Sequence, residues 1–232
     1  METVFAFRML SLRALLAAYK TLLVIDSSSA CVQLGLFKTG AAAGGEWEKS
    51  IGEAGTAVFQ NTDKLLLRTG VKLSEIDAIA FCEGPGSVLG IRTAAIAIRT
   101  WNVLHPSPIF AFASLAVVAH GIALTERATS FSVIADARRD NWHRVTVDAS
   151  GIVSPLQRVA VEQLSGALIT PEGFRHWAVP PSNVGHVHYD LAQWFALVRE
   201  IALFRPTDEP DAFLHEEPTY QTWTPRIHRA PS

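Results

Sequence analysis

Residues Cys82–Arg92 read CEGPGSVLGIR, a glycine-rich loop set between an apolar strand-like run and a helix-like run. Gly84 and Gly86 permit positive φ and close approach of other backbone, and Pro85 stiffens the turn. Ser87 stands where a helix N-cap belongs. A loop that ends at a helix start presents unpaired N–H groups and a partial positive charge, and so can hold an anion. Arg92, one turn into that helix, could reach the same place. The loop matches neither G-x-x-x-x-G-K-[ST] nor G-x-G-x-x-G, and a tight strand-to-helix turn accounts for the same residues. Two carboxylates extend the site. Asp26, followed by Ser27, Ser28 and Ser29, and Asp136, followed by Ala137, Arg138 and Arg139, each end an apolar run. Either could face a cleft and orient a metal-bound water, or accept hydrogen bonds within its own turn. Asp26, Ser27, Gly84, Pro85, Gly86, Ser87, Arg92 and Asp136 are therefore the candidate anion- or nucleotide-binding set.

Metal and nucleophile chemistry find little support. None of the eight histidines forms an i, i+4 pair, the spacing that sets two metal ligands on one helix face. His186 and His188 are two apart, which suits one face of a strand, and His120 and His143 stand alone. Cys31 and Cys82 have no histidine neighbour in sequence, and buried packing explains them. No catalytic residue and no metal ligand is expected.

The elements that must position the loop and the carboxylates follow from periodicity. Thr21–Phe37 reads as a hairpin: Leu22–Ile25 is continuously apolar, as a buried strand is, Asp26 and the serines turn, and Val32, Leu34 and Leu36 alternate. Residues 40–45 form a flexible turn, and Glu46–Ser50 a third strand. Thr56–Gly70 reads as a helix capped by Gly70. Ile76–Phe81 is a strand, Ser87–Leu104 a helix that stops before Pro106, and Ile109–Ala111 a short strand. Ser114 caps a helix through about His120. Phe131–Asp148 then repeats the opening pattern of strand, aspartate turn and returning strand, with Asp136 in the place of Asp26, a weak internal duplication. Asp190–Leu203 reads as a helix bounded by Pro206. The tail, Glu216–Ser232, holds three prolines and ends basic.

Strands alternating with helices imply an α/β class with covered sheets. With 49% apolar and 18% charged residues, against the ~25% charged of average proteins, extensive burial is expected, within the chain or against a partner. A net charge of −2 excludes a protein that coats nucleic acid by charge alone. Two cysteines exclude a disulfide framework and suit a reducing compartment. In residues 1–20, Arg8, Arg13 and Lys20 interrupt the apolar run, leaving neither a membrane span of about 20 residues nor a signal peptide. Two readings stand there: a poorly ordered extension, or a short amphipathic helix with Leu12, Leu15, Leu16 and Tyr19 on one side. The divisions are residues 1–20, a first lobe over 21–127, and a second lobe with tail over 128–232.

In order, the chain carries Ile25-Asp26-Ser27, then GPGSVLGIR at residues 84–92, then Ser114-Leu115 with Ala119, then Asp136-Ala137-Arg138-Arg139. This series, over residues 22 to about 148, resembles the TsaB (YeaZ) family; Pro218 and Tyr220 match its late P-x-Y loosely. The resemblance implies a two-lobed actin-like fold, like that of sugar kinases and heat-shock ATPases, with a mixed sheet and helices in each lobe. It implies a non-catalytic scaffold subunit in the making of N6-threonylcarbamoyladenosine on tRNA. The implied partners are a TsaD-like paralogue and a TsaE-like ATPase, with a homodimer when alone, tRNA met only through the complex, and a cytoplasmic, membrane-free setting. No cofactor is required, though ATP or ADP could bind at a subunit interface. The resemblance places the TsaD contact on the first-lobe helices, here through Leu65, Leu66 and Leu67 and through Ile91, Ala95, Ile96 and Arg99. The second of these helices is apolar on nearly every side, more than a surface helix needs. The first departs from the family, with Phe59 or Gln60 near where a histidine often stands. The alternative is a small ATP-handling enzyme using Asp26, the glycine loop and Asp136 across the cleft; the lack of glycine after Asp26 tells against it.

Overall fold

Two aspartate-bearing hairpins organise the computed structural model, which describes residues 9–40, 44–125 and 129–213. The first half runs β1 (Leu10–Ser11), α1 (Leu12–Ala18), β2 (Thr21–Asp26), β3 (Cys31–Lys38), β4 (Glu46–Ile51), α2 (Ala54–Thr69), β5 (Ala78–Gly84), α3 (Val88–Leu104), β6 (Ile109–Ala113) and α4 (Ser114–Thr125). The second runs β7 (Phe131–Asp136), β8 (Asn141–Val147), β9 (Gln157–Ala160), β10 (Ala167–Pro171), β11 (Val184–Val187), α5 (Leu191–Leu197) and β12 (Ala202–Pro206).

The duplication is visible in the pairing. β2, β3 and β4 form an antiparallel meander, and β5 joins β2 in parallel. β7, β8 and β9 repeat the meander, and β10 joins β7 in parallel. Where the first half has α2 between meander and parallel strand, the second has only a 3-10 turn, Val161–Gln163. The sheets have the orders β1-β12-β6-β5-β2-β3-β4 and β11-β10-β7-β8-β9. This is the mixed α/β, two-sheet architecture expected.

β2 is buried along its whole length because helices cover both faces of its sheet, as a continuously apolar strand requires. Leu23 and Ile25 pack with Val58 and Leu65 of α2 and Ile91 and Ile98 of α3. Leu22 and Val24 point the other way, into a core shared with Leu12, Leu15, Leu115 and Phe195. That second core continues into Phe131, Val133 and Val145 of the other sheet, so α4 lies between the two sheets and is apolar nearly all round. It runs to Thr125, one turn past the expected end at His120, and Gly121 in that turn lets α5 approach: a Cβ there would lie 2.2 Å from the Trp194 ring.

Inside the segment expected as an extension, Ser11 caps α1 by accepting from the Ala14 amide at 3.1 Å, and Leu12 and Leu15 are buried. β1 pairs antiparallel with β12. β12 in turn pairs with β6, so residues 202–206 lie in the first sheet although they follow the second in sequence. The helix expected over Asp190–Leu203 accordingly ends at Leu197; strand pairing at Ala202–Pro206 overrides its periodicity. The expected boundary at 127/128 and the tail with Pro218 and Tyr220 fall outside the described residues. Among the described residues no helix is long and apolar enough to cross a membrane. Leu15→Ala, which empties a fully buried site between α1 and the first sheet, is expected to lower unfolding free energy by about 2–5 kcal/mol in a denaturant titration; a change within ~0.5 kcal/mol would mean that α1 is not docked.

Candidate functional site where the two halves meet

β2 delivers Asp26 to the end of the first sheet with no solvent exposure. One oxygen accepts the Ser28 amide at 2.6 Å; the other accepts the hydroxyl of Tyr189, which comes from the second half. Burial pushes the Asp26 carboxyl above its ordinary range, against the opposing pull of those two hydrogen bonds. Burial, and the nearby Asp26 charge, hold the Tyr189 hydroxyl and the Cys82 thiol well above theirs. Gln33 of β3 stitches the same junction: its amide donates to the Tyr189 carbonyl and its oxygen accepts the Leu191 amide, both at 3.0 Å. The Ala30 amide donates to the Gly173 carbonyl at 2.8 Å. Lys49 and Asp190 pair at 2.5 Å, and Phe174 meets the Tyr189 ring edge-on. The two halves are latched directly over the carboxylate.

The glycine loop closes the other side. Gly84 and Gly86 take φ of +123° and +150°, and the Ser87 amide donates to the Ser28 carbonyl at 2.7 Å. A Cβ on Gly86 would stand 2.3 Å from the Ser28 oxygen, and one on Gly90 2.1 Å from the Ser27 oxygen. Ser114, the first residue of α4, donates to the Pro85 carbonyl at 2.7 Å. Ser87 caps α3, its hydroxyl accepting the Gly90 amide at 3.3 Å. The glycines thus admit the chain's own Ser27–Ser28 backbone where a phosphate would have to lie. The residues present do not fit a nucleotide phosphate between these turns, and both Asp26 oxygens are engaged. Arg92 turns elsewhere, to Asp211 at 3.5 Å.

Asp136 repeats the Asp26 turn but not its burial. One oxygen accepts the Arg138 amide at 2.6 Å; the other accepts the Trp177 and Ala178 amides at 2.6 and 2.7 Å. It is a turn acceptor that ties the Arg138 turn to the loop after β10. Among the described residues no cluster of His, Cys, Asp or Glu could hold a metal ion. Sequence reasoning missed Tyr189, Gln33 and Trp177. Gln33 alone carried a signal, a polar residue in a strand that both sheet faces bury.

The helix residues expected at a partner interface separate into two groups. Leu65, Ile91 and Ala95 are buried within the first half itself, because α2 and α3 turn those faces onto the sheet, so they are not surface contacts. Leu66 is partly buried. Leu67 and Ile96 are 86% and 60% exposed, and Arg99 is half-exposed beside Asp211.

With this geometry in place, the solved structure of YeaZ from Pseudomonas aeruginosa superimposes with a TM-score of 0.59 at 20% identity, over 77% of this chain and 90% of that one. A second structure, an uncharacterised protein with similarity to peptidase YEAZ from Pseudomonas aeruginosa, gives 0.58 at 20% identity, over 77% and 89%. This is a YeaZ-like fold. Residues 56–161 match the family model for TsaD, tRNA N6-adenosine threonylcarbamoyltransferase. In fold, the resemblance read from the four sequence motifs is borne out: the two mixed sheets and their helices are those of a YeaZ-like structure, and the TsaD match spans somewhat less than half of the chain. No curated protein sequence matches the chain.

Three outcomes follow from the latch and the loop that closes over it. Tyr189→Phe, which removes one donor to a buried carboxylate, is expected to lower unfolding free energy by about 1–3 kcal/mol. Because the folded protein holds the Asp26 proton more tightly than the unfolded chain, this group favours folding fully below the ordinary carboxylate range, and loses that contribution as pH rises through the raised value. Asp26→Asn should therefore gain stability relative to wild type between acid and neutral pH, as read by thermal unfolding across that range; a difference that stays flat or falls would contradict a raised carboxyl. Gly90→Ala, pressed against the Ser27 carbonyl, should cost about 1–3 kcal/mol or more by the same measurement.

Proposed function

We propose that this chain is a non-catalytic scaffold subunit of the machinery that makes N6-threonylcarbamoyladenosine on tRNA, acting in the cytoplasm and binding a TsaD-type transferase through the outer faces of α2 and α3. The observation that carries this reading is the apolar stripe on α3. Leu89, Ile96 and Val103, each seven residues from the next, are 79%, 60% and 83% exposed, and Leu104 extends the stripe at 66%. Scattered exposed apolar residues are ordinary, but three at two-turn spacing on one helix face, with Arg92, Thr93, Arg99 and Thr100 between them, support an interaction surface of mixed apolar and basic character. Seven-residue spacing returns each of them to the same side of the helix, so all three can meet one partner surface. On α2, Phe59 lies edge-on to Trp101 with its ring half-exposed, and Leu67 is almost fully exposed.

The choice of partner rests on kinship. The stretch that matches the TsaD family model contains all of α3 and nearly all of α2. A paralogue with a like helix pair can meet this one face to face, in the self-complementary manner of two-fold interfaces. The same geometry makes a homodimer the resting form of the chain alone. A TsaE-like ATPase completes the assembly, and any ATP or ADP is held at an interface between subunits. The filled cleft supports a non-catalytic role: Asp26 is fully engaged and the glycine loop packs on backbone. A small ATP-handling enzyme is the reading displaced.

Co-expression with the TsaD-like protein of the same source, followed by size-exclusion chromatography with light scattering, is expected to give a complex with one copy of each. Ile96→Glu, at an exposed position that leaves the fold intact, should weaken it by roughly a hundredfold, since a buried unpaired charge costs several kcal/mol. Elution of both wild-type proteins as separate species would overturn the scaffold reading, and so would ATP turnover that Asp26→Ala abolishes.

A further inference from the structure

The second half carries a feature that neither the latch nor the α3 face uses. Arg138, Arg139 and Asp140 take φ of +63°, +50° and +58° in succession, a conformation disfavoured for residues with side chains. The turn is held there by Asp136, whose carboxylate accepts the Arg138 amide and, across the gap, the Trp177 and Ala178 amides. Two separate loops are thereby fixed side by side. The result at the surface is a stack: the Trp177 ring, 60% exposed, has the Arg138 guanidinium 4.9 Å and the Arg175 guanidinium 5.3 Å from its centre. Both distances are within cation–π range. Among the described residues no carboxylate forms an ion pair with Arg138, Arg139 or Arg175. The acidic groups nearest in sequence are Asp136, engaged by the Arg138, Trp177 and Ala178 amides, Asp140, in the same turn, and Glu172, which pairs with His188 at 3.1 Å.

A packing role would bury an indole, and a stabilising role would pair the arginines with carboxylates. A wet indole flanked by unpaired guanidiniums is what unpaired bases require, a flat π surface to stack on with positive charge for the adjacent phosphates. The surface continues into a shallow groove of about 750 Å³ along β8 and β9, lined by Asn141, Gln157, Arg158 and Gln163. Asn141 joins the two, its amide donating to the Arg139 carbonyl at 2.7 Å. We propose that Trp177, Arg138 and Arg175 form a platform on which an unpaired base of an RNA loop stacks, with Arg139 on the neighbouring phosphate. This rests on the tRNA-modification reading and goes past it: the chain itself touches the RNA, rather than meeting it only through a partner.

The test is binding of a fluorescently labelled RNA hairpin with a single-stranded loop, and of a duplex of the same composition, at low salt. Both the full chain alone and its complex with the TsaD-like paralogue are titrated. Preference for the hairpin is expected, with Trp177→Ala and the double change Arg138→Ala and Arg175→Ala each weakening it by roughly tenfold. Trp177→Phe should keep most of the affinity, and Arg139→Ala should flatten the salt dependence. The platform is overturned if Trp177→Ala leaves hairpin binding unchanged in both forms, or if hairpin and duplex bind alike and only arginine changes matter. It is also overturned if these variants spare RNA binding but break assembly with the paralogue, which would make the surface a protein contact. Ile96→Glu separates the two readings. Hairpin binding that survives this change does not depend on the α3 interface, and a wild-type chain that binds the hairpin but forms no complex with the TsaD-like paralogue supports the platform while the scaffold reading falls.

Discussion

A carboxylate shut away from water has to find a donor for each oxygen, and Asp26 finds one in each half of the chain. The Ser28 amide is local and forms with the turn. The Tyr189 hydroxyl arrives from across the molecule, and with it come the Gln33 bonds to the Tyr189 carbonyl and the Leu191 amide. Without that second donor the group would be buried and underpaired, which a fold tolerates poorly. The relative placement of the two sheets is therefore tied to one side chain. α4 between the sheets and α5 beside it complete a core that the latch holds in register.

The same constraint decides what the glycine loop can do. A strand-to-helix turn rich in glycine exposes N–H groups, and those groups bind whatever acceptor comes close enough. Here the acceptor is the Ser28 carbonyl, brought within hydrogen-bond range because Gly86 and Gly90 have no Cβ to keep it away. Ser114 secures the loop from α4. A loop with the composition of a phosphate cradle thus serves as a packing joint. That joint sets the start of α3, and hence the direction in which its apolar stripe faces.

Local signals made much of this legible. The two hairpins, the Ser87 cap, the Gly70 terminus and the repeated Asp turn could be read because each depends on residues a few positions apart. What could not be read depends on partners far away in sequence. Tyr189 sits in no motif, and only the fold brings it to Asp26. Ala202 and Leu203, the start of β12, read as the end of a helix because the strand's pairing with β6 and β1 leaves no periodic trace in so short a run. On α3 the sequence could not separate Ile91 and Ala95, which face the sheet, from Ile96, which faces out, since nearly every side of the helix is apolar. Leu65 and Leu67 posed the same ambiguity on α2.

The two halves show how one turn serves two ends. Asp26 and Asp136 each end the first strand of a meander, and each accepts the amide two residues on at 2.6 Å. In both, the second oxygen accepts from a segment beyond the neighbouring parallel strand of the second half: Tyr189 for Asp26, Trp177 and Ala178 for Asp136. The residues after the aspartate make the difference. Three serines are small enough to be buried beneath the glycine loop, so the first turn faces inward and becomes a latch. Two arginines cannot be buried unpaired, so the second turn faces water and presents their charge beside Trp177. The same hydrogen-bond pattern stands in both halves, while the side chains that follow it determine whether that geometry holds the molecule together or meets something outside it.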